Sequence, residues 1–469
     1  PLEVPMVFST PLFLFYFLVA VLLVYYLVPL RLRNGVLMLA SLFFYYWGEQ
    51  DYTLIMLLST AIDYTHGLLV QRFKERGQDR YARMTVVSSV FFNLSILFFF
   101  KYWDFLAGSL QSIGLEWMPV LGITLPIGIS FYTFQTMSYT IDVYRGDAKA
   151  QRSIVSFGTF VTLFPQLIAG PIIKYKDLDD QLGRRTHSLE QVASGISRFV
   201  AGLSKKLLIA NNLGQLWDAC KVMGKGELSI ITAWLGILAF AFQIYFDFSG
   251  YSDMAIGLGR MFGFEFMENF NYPYISKSIT EFWRRWHISL STWFREYLYI
   301  PLGGNRCSRG RWILNLLIVW CATGIWHGAS WNYLLWGLYF YVLLVSEKLL
   351  LGKYLQKLPG WLRHVYVMVL VLISWAIFAL EDLSIMGHYL ADMLGFGGLP
   401  LVNALTGYYL RNYLPILAAA AVASTPMVIT RWRRMDSPGL KLTVLLLGLL
   451  ACTAYVVAGT YNPFLYFRF

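Results

Sequence analysis

The sequence has little charge and little cysteine for its length. Only 14% of its 469 residues are charged and 57% are hydrophobic, whereas soluble domains carry about 25% charged residues. This composition excludes an ordinary soluble domain and predicts an integral membrane protein. The chain has four cysteines, scattered without a Cys-x-x-Cys pair, so neither a zinc site nor a disulfide framework is expected. They are Cys220, Cys307, Cys321 and Cys452.

Several familiar motifs are also missing. The sequence contains no Walker loop, no dinucleotide-binding fingerprint and no Gly-x-Ser-x-Gly nucleophile elbow. Their absence argues against nucleotide binding and against a serine hydrolase carried by this chain alone. We see no internal repeat, low-complexity linker or soluble domain. We therefore predict a single membrane domain over residues 1–469, with no metal and no permanently bound cofactor; residues 1–5, ahead of Met6, are interpreted as a cloning remnant.

The chain is rich in apolar runs separated by short basic loops. Its net charge of +11 lies mostly in these loops, the positive-inside pattern of a multi-pass protein. The loop charges place both termini on the extracytoplasmic side, and residues 460–469 there with them. Apolar runs predict spans near 10–30, 35–48, 52–71, 84–103, 121–142, 229–248, 312–332, 333–352, 363–381, 412–430 and 442–459.

Two segments do not read as simple spans. Residues 154–173 are flanked by basic residues on both sides and interrupted by Pro165, Gly170 and Pro171. We expect a broken or re-entrant segment, which is tolerated at membrane depth only where protein or a water-filled cavity surrounds it. Residues 190–212 are predicted to form an amphipathic or partly inserted helix.

His327 is the first candidate functional residue. It lies in the apolar run from Trp312 to Ser346, which follows a basic loop. A helix leaving that loop would carry His327 roughly 20 Å into the membrane. Ionisable groups at such depth are costly and often line a pathway, and a neutral imidazole can act as a base. The alternative is a packing histidine bonded to a neighbouring carbonyl.

A second histidine lies in the cationic segment Trp283–Ser291, which contains Arg284 and Arg285. On a helix, Trp283, His287 and Ser291 would share one face. Such a helix could bind anionic lipid headgroups at the membrane surface. Alternatively, it could form a cationic entrance for a donor with phosphates, with His287 near the floor of a tunnel.

Other titratable groups are weaker candidates. Asp247 and Asp253 lie six positions apart at the predicted end of a span. They could cap the interface or orient an active-site group, and we favour a structural or supporting role. His66 lies three residues after Asp63 inside a span and could pair with it. The remaining histidines are interpreted as surface or packing residues: His187, His364 and His388.

Taken together, these segments resemble the membrane-bound O-acyltransferase (MBOAT) family, particularly its bacterial alginate O-acetylation branch. The resemblance runs in order through about two thirds of the chain. It rests on Leu125–Phe131, Phe164–Pro171, Tyr245–Gly257, Trp283–Ser291 and Gly324–Ala329. It implies an all-α, polytopic integral membrane protein: a bowl of tilted helices with re-entrant segments and a central tunnel. His327 matches the family's central histidine, and His287 its second polar position, which is asparagine in many eukaryotic relatives.

The resemblance implies acyl transfer from a thioester to a hydroxyl. His327 is then the expected general base, since a neutral histidine suits proton abstraction near pH 7. His287 is expected to orient the donor or to stabilise the developing oxyanion. The resemblance further implies a bacterial inner-membrane enzyme that uses cytoplasmic acetyl-CoA. A serine-hydrolase-like partner outside the cell membrane would complete O-acetylation of an envelope or exported polysaccharide.

The C-terminal residues Phe464–Phe469 resemble the terminal aromatic motif of cell-envelope acylation systems. In those systems the tyrosine is implicated as an acyl relay, which makes Tyr466 a candidate relay here. Phenol has a pKa of about 10 and leaves more readily than an alkyl alcohol, so an aryl ester can pass its acyl group onward. The alternative is an aromatic belt that anchors the chain end.

Two other functions fit parts of this pattern. One is D-alanyl transfer for teichoic acid modification, whose terminal aromatic motif resides on a separate small protein. The other is a non-enzymatic solute transporter with broken segments lining its path, although many transporters show internal symmetry that is not evident here.

Overall fold

The computed structural model describes residues 6–224, 226–459 and 465. These residues form helices, turns and loops, with no β-strand among them, which confirms the predicted all-α fold. The chain divides into two compact units. The first comprises residues 1–199 and 251–267, and the second comprises residues 200–250 and 268–469.

The first unit is built from long apolar helices in its N-terminal part and short helices after them. The predicted span at 121–142 begins later than expected, since residues 119–126 are irregular. Its helices are Leu12–Phe17 (π), Leu18–Leu27, Arg33–Glu49, Tyr52–Glu75, Asp79–Leu97, Phe98–Tyr102 (π), Trp103–Gln111, Ile129–Arg145, Ile154–Thr162, Phe164–Leu167, Tyr175–Gly183 and most of Leu189–Ser204.

The segment predicted to be broken is broken. The helix Ile154–Thr162 ends before Leu163, whose ψ of 107° is not helical, and the short helix Phe164–Leu167 has a proline in its first turn. The chain from Phe157 to Tyr175 is buried throughout. A re-entrant placement of this segment in the membrane stays a prediction.

The second unit contains the histidine segments. Most of the Ile230–Met261 helix belongs to it, and a three-residue link joins the two helices on either side of residues 328–330. Its helices are Lys205–Ala210 (π), Asn211–Lys221, Ile230–Met261, Ile279–Arg285, Ile288–Phe294, Arg295–Tyr299 (π), Arg309–His327, Trp331–Ser346, Glu347–Leu351 (π), Gly352–Leu355, Gly360–Ala379, Leu383–Met393, Ala404–Ala423, Met427–Arg433 and Pro438–Val457.

Six of the described helices are long and apolar enough to cross a membrane, so the protein is a multi-pass membrane protein. The bent pair Ala404–Ala423 and Met427–Arg433, at 65° to each other, would add a seventh span. The predicted spans near 10–30, 35–48, 121–142 and 312–332 are helices outside this set. The six are Tyr52–Glu75, Asp79–Gln111, Ile230–Met261, Trp331–Leu355, Gly360–Ala379 and Pro438–Val457.

Glycine allows the two helices around residues 328–330 to pack closely. A Cβ on Gly324 would lie 2.4 Å from the carbonyl oxygen of Tyr333, and a Cβ on Gly337 would lie 2.4 Å from that of Trp320. Real Cβ atoms do not approach this closely, so both positions require the absent side chain. The contact fixes the end of the Arg309–His327 helix, where His327 is the last residue.

Candidate active site

His287 lies at a sharp bend rather than on a continuous helix. The helix Ile279–Arg285 ends before it, the helix Ile288–Phe294 begins after it, and its own backbone is left-handed, with φ 45° and ψ 55°. The predicted helical face shared by Trp283, His287 and Ser291 is therefore wrong. A left-handed conformation is uncommon for residues other than glycine, although histidine, asparagine and aspartate adopt it more often than most, and it often occurs at functional sites.

Hydrogen bonds from distant residues fix this bend. At the start of the first helix, the carboxylate of Glu347 accepts the N–H groups of Ile279 (2.6 Å) and Thr280 (3.1 Å). These donors have no intrahelical acceptor, so the carboxylate satisfies them and complements the helix dipole. After the bend, the N–H of Ile288 donates to the backbone oxygen of Asn269 at 2.9 Å.

The side chain of the same Asn269 faces the ring of His287. Its side-chain oxygen accepts the backbone N–H of Ser289 at 3.2 Å and the Ser289 hydroxyl at 2.9 Å. The Nδ1 atom of His287 lies 3.2 Å from this acceptor. An acceptor in this position favours the tautomer with hydrogen on Nδ1, in which a neutral ring has its lone pair on Nε2.

The environment of His287 favours the neutral ring. The residue is 1% exposed. The ring of Phe248 contacts its imidazole edge to face at 4.7 Å between centroids. Burial, and secondarily the neighbouring His327, holds the pKa of His287 well below its ordinary value. The imidazole is therefore uncharged at neutral pH.

His327 is surrounded by aromatic edges. Its ring centroid lies 5.1 Å from that of Trp326, 5.0 Å from that of Trp336 and 5.4 Å from that of Phe378, all nearly perpendicular. Trp326 also lies 6.0 Å from the ring of His287. The two histidines predicted from separate segments are thus brought together around one indole.

Neighbouring helices hold this aromatic cluster in place. Asn332 donates to the backbone oxygens of Ile377 (3.3 Å) and Phe378 (2.9 Å), which lie in the last turn of the Gly360–Ala379 helix. These two bonds satisfy carbonyls that have no donor within the helix, and they fix Phe378 against His327. Trp283 contacts Trp336 edge to face at 5.5 Å, so it supports the cluster from the other side.

The two predicted arginines differ in their surroundings. Arg284 is exposed, as a donor-attracting residue requires. Arg285 donates through Nε to Glu281 at 3.0 Å and through a terminal nitrogen to the backbone oxygen of Asn271 at 3.0 Å. These bonds give Arg285 a structural role beside the bend.

Asp247 and Asp253 are not at the end of a span, because the predicted boundary at 248 is wrong. The Ile230–Met261 helix continues through both residues. In the second unit Asp247 is 2.5 Å from the Lys206 ammonium. In the first unit Asp253 accepts the Nε of Arg198 at 2.8 Å. Both carboxylates are neutralised by a cation, which favours the supporting role over an interfacial cap.

The other histidines bond to groups close to them. The expected pairing of His66 with Asp63 is wrong: His66 contacts the oxygen of Ile62 and the hydroxyl of Ser88, whereas Asp63 accepts Ser89 and Asn93. His187 bonds to the Tyr25 hydroxyl, His364 to the backbone oxygen of Ser276 and His388 to that of Ser384.

Tyr466 lies outside the described residues. Its neighbour Leu465 is described, is 9% exposed and belongs to the apolar core of the second unit. The N–H of Leu465 donates to Asp247 at 3.0 Å. The predicted relay therefore follows directly on a residue with a defined contact.

The sequence did not predict the contacts that Asn269, Trp326 and Lys206 make with the candidate site residues. Asn269 is 18 residues from His287, and nothing in the intervening sequence signals the contact. Trp326 lies within the matching Gly324–Ala329 segment. Nothing in the sequence distinguishes it from the other tryptophans of this membrane protein. Lys206 lies within the predicted helix 190–212, and nothing in the sequence marks its contact with Asp247, 41 residues away.

Comparison with known proteins agrees with these observations. Residues 145–382 match the profile of the membrane-bound O-acyltransferase family, and this range contains both histidines. The chain is 41% identical to a probable alginate O-acetylase of Azotobacter vinelandii, with 99% of this chain and all of that protein aligned. It is 46% identical to one of Pseudomonas aeruginosa (84% and 75% covered) and 33% identical to a peptidoglycan O-acetyltransferase of Helicobacter pylori (85% and 81% covered). The chain belongs to the membrane-bound O-acyltransferase family and is an O-acyltransferase.

Proposed function

We propose that this enzyme moves acetyl groups from cytoplasmic acetyl-CoA across the bacterial inner membrane for O-acetylation of an exported or envelope polysaccharide. The observation that carries the proposal is the pair of buried histidines that share Trp326. Relatives named as alginate O-acetylases make alginate the best-supported polymer. Acetyl-CoA serves as a substrate and not as a resident cofactor.

His327 is the proposed general base. Its imidazole is 6% exposed, so water competes little for its lone pair. It is the last residue of the Arg309–His327 helix, where the unsatisfied carbonyls favour positive charge. These carbonyls stabilise the imidazolium that forms when His327 takes the proton. The stabilisation is absent before the proton moves, because the imidazole is then neutral. General-base assistance of this kind contributes about 10²- to 10⁴-fold in rate.

His287 is the proposed orienting residue. A neutral ring with hydrogen on Nδ1 presents an acceptor at Nε2. An acceptor nitrogen can orient the acyl donor through one of its N–H or O–H groups, whereas oxyanion stabilisation needs a hydrogen-bond donor. The Asn269 contact therefore supports the orienting role over the oxyanion role that the sequence left open.

Tyr466 is the proposed covalent relay. Its phenol oxygen attacks the thioester carbonyl as His327 takes the phenolic proton. The carbon–sulfur bond breaks, the thiolate regains the proton from the imidazolium, and an aryl ester remains on the protein. A hydroxyl of the acceptor then attacks the aryl ester and gives its proton to the leaving phenolate. Phenolate leaves more readily than alkoxide, since its conjugate acid has a pKa of about 10.

Orientation and partner belong to the same proposal. The positive-inside pattern of the loops supports a position outside the cytoplasm for both termini. The relay residue then faces the side on which the polymer is modified. A serine-hydrolase-like partner on that side is proposed to complete the transfer, because no segment of this chain resembles a carbohydrate-binding domain.

Radiolabelled acetyl-CoA added to the purified full chain in proteoliposomes tests the function. Covalent label on the C-terminal peptide is expected. It should be lost in Tyr466→Phe and kept in the matched control Tyr461→Phe, a second tyrosine of the same terminal segment. Absence of label from the wild-type protein would contradict acetyl transfer from CoA, and unchanged label in Tyr466→Phe would contradict the relay.

The D-alanyl alternative is less supported. The chain is 28% identical to a teichoic acid D-alanyltransferase of Bacillus subtilis, over 59% of this chain and 71% of that protein. The same labelling experiment separates the two donors, since a D-alanyl enzyme would leave acetyl-CoA unused. Family membership argues against the transporter alternative.

A further inference from the structure

The second unit contains a buried ion pair that the proposed reaction does not use. The ammonium of Lys206 and one carboxylate oxygen of Asp247 are 2.5 Å apart. Both residues are almost fully buried, at 1% and 3% exposure. A buried ion pair is seldom justified by stability alone, because desolvation offsets the attraction between the charges. Stability alone therefore does not account for this pair.

The second carboxylate oxygen of Asp247 makes a separate contact. It accepts the backbone N–H of Leu465 at 3.0 Å. The other oxygen of the same carboxylate faces the Lys206 ammonium, and a hydrogen bond in which one partner is charged is stronger than one between neutral groups. The Leu465 side chain is buried in the core of the same unit. One polar and one apolar contact thus anchor the C-terminal segment at this residue.

The position of the anchor suits the chemistry. Asp247 and Phe248 are neighbours in the Ile230–Met261 helix, and the Phe248 ring packs against His287. Tyr466 is the residue after Leu465, and consecutive Cα atoms are about 3.8 Å apart. Leu465, the residue next to the proposed relay, is therefore bonded to the helix that also supplies Phe248 to the His287 ring.

We propose that the Lys206–Asp247 pair is a docking site for the C-terminal segment, and that Asp247 is a positioning residue for Tyr466. The docking rests on the hydrogen bond and the burial of Leu465. Its catalytic value rests on the proposed function of Tyr466 as relay. The hydrogen-bond donor is the backbone N–H of Leu465. Another residue at position 465 should therefore bind equally well if its side chain fits the same apolar core.

The sharpest test changes the donor and leaves the ion pair intact. Leu465→Pro removes the N–H, and Leu465→Met keeps both the N–H and a similar volume. Docking is measured in the full chain by the rate at which a carboxypeptidase trims the C-terminus, followed by intact mass. We expect Leu465→Pro to be trimmed roughly tenfold faster or more, and Leu465→Met to behave as wild type.

A second variant removes the acceptor. Lys206→Met combined with Asp247→Leu replaces the pair by apolar groups, an exchange that proteins often tolerate. It should release the tail as Leu465→Pro does, while thermal unfolding reports whether the fold is kept. Acetyl label on Tyr466, measured on the same samples, should fall in both variants.

The outcomes separate docking from relay. Trimming of Leu465→Pro at the wild-type rate would overturn the docking site, whatever Tyr466 does. Faster trimming with undiminished label on Tyr466 would overturn the positioning role. If wild type and Tyr466→Phe acylate alike but Leu465→Pro is trimmed faster, the relay fails and the docking site stands.

Discussion

Nδ1 of His287 lies 3.2 Å from the side-chain oxygen of Asn269, and this contact favours hydrogen on Nδ1. Asn269→Asp retains an acceptor there but adds a negative charge, which raises the pKa of a neighbouring histidine. Burial acts in the opposite direction in the wild-type protein. A step that needs neutral His287 should therefore persist in the wild type below the ordinary histidine pKa of about 6.5. The acid limb of the Asn269→Asp pH–rate profile should move to higher pH.

The comparison variant for this prediction is Asn269→Leu, which supplies no acceptor. It leaves the Ser289 N–H without the bond that it makes at 3.2 Å. A lost bond to a buried donor costs about 1–3 kcal/mol, so we expect a loss of activity without the upward pH shift. An Asn269→Asp profile that overlays the wild-type profile would show that this contact does not control protonation.

Replacement of His327 should abolish most acyl transfer. His327→Ala removes the proposed base and is expected to lower the rate by about 10²- to 10⁴-fold. The measurement is transfer of acetyl label under conditions where the protein amount in the membrane is matched. His388→Ala is the control, because His388 is exposed and bonds within its own helix to Ser384. Wild-type transfer by a folded His327→Ala protein would remove the residue from the mechanism.

Close helix contact at Gly337 should be essential to stability. Gly337→Ala brings a methyl group to 2.4 Å from the carbonyl oxygen of Trp320, so the helices must move apart. Overpacking of this kind costs about 1–3 kcal/mol, and thermal unfolding in detergent should show a lower Tm. In contrast, Gly407→Ala has open space around the new methyl group and should be neutral or slightly stabilising, since alanine is the better helix former. Equal Tm values for the two variants would contradict the packing argument.

The exposed Arg284 should act on donor capture. Arg284→Gln removes a positive charge without breaking a described hydrogen bond, so we expect a higher KM for acetyl-CoA, a similar kcat and weaker salt dependence. Arg285→Gln removes the same charge but also breaks the bonds to Glu281 and Asn271, and should in addition lower Tm. An unchanged KM in Arg284→Gln would refute a cationic entrance at this position.

Composition and motifs predicted the helical membrane fold and both histidine segments, because long apolar runs can bury their backbone polar groups only as helices. They failed at the bend. Trp283–Ser291 contains no glycine or proline to interrupt a helix, and the interruption comes from tertiary bonds to Asn269. The extension of the helix beyond residue 248 was missed because two aspartates suggested a boundary. Arg198 and Lys206, which neutralise them, are far away in sequence.

The left-handed backbone at His287 limits which substitutions report cleanly on its chemistry. Asparagine adopts this conformation readily, whereas a β-branched residue such as valine would strain the turn between the two short helices. Loss of activity in His287→Val would have two causes that cannot be separated: the main chain would be displaced and the imidazole would be absent. His287→Asn changes the functional group and keeps the turn, so its loss of activity would report on the imidazole.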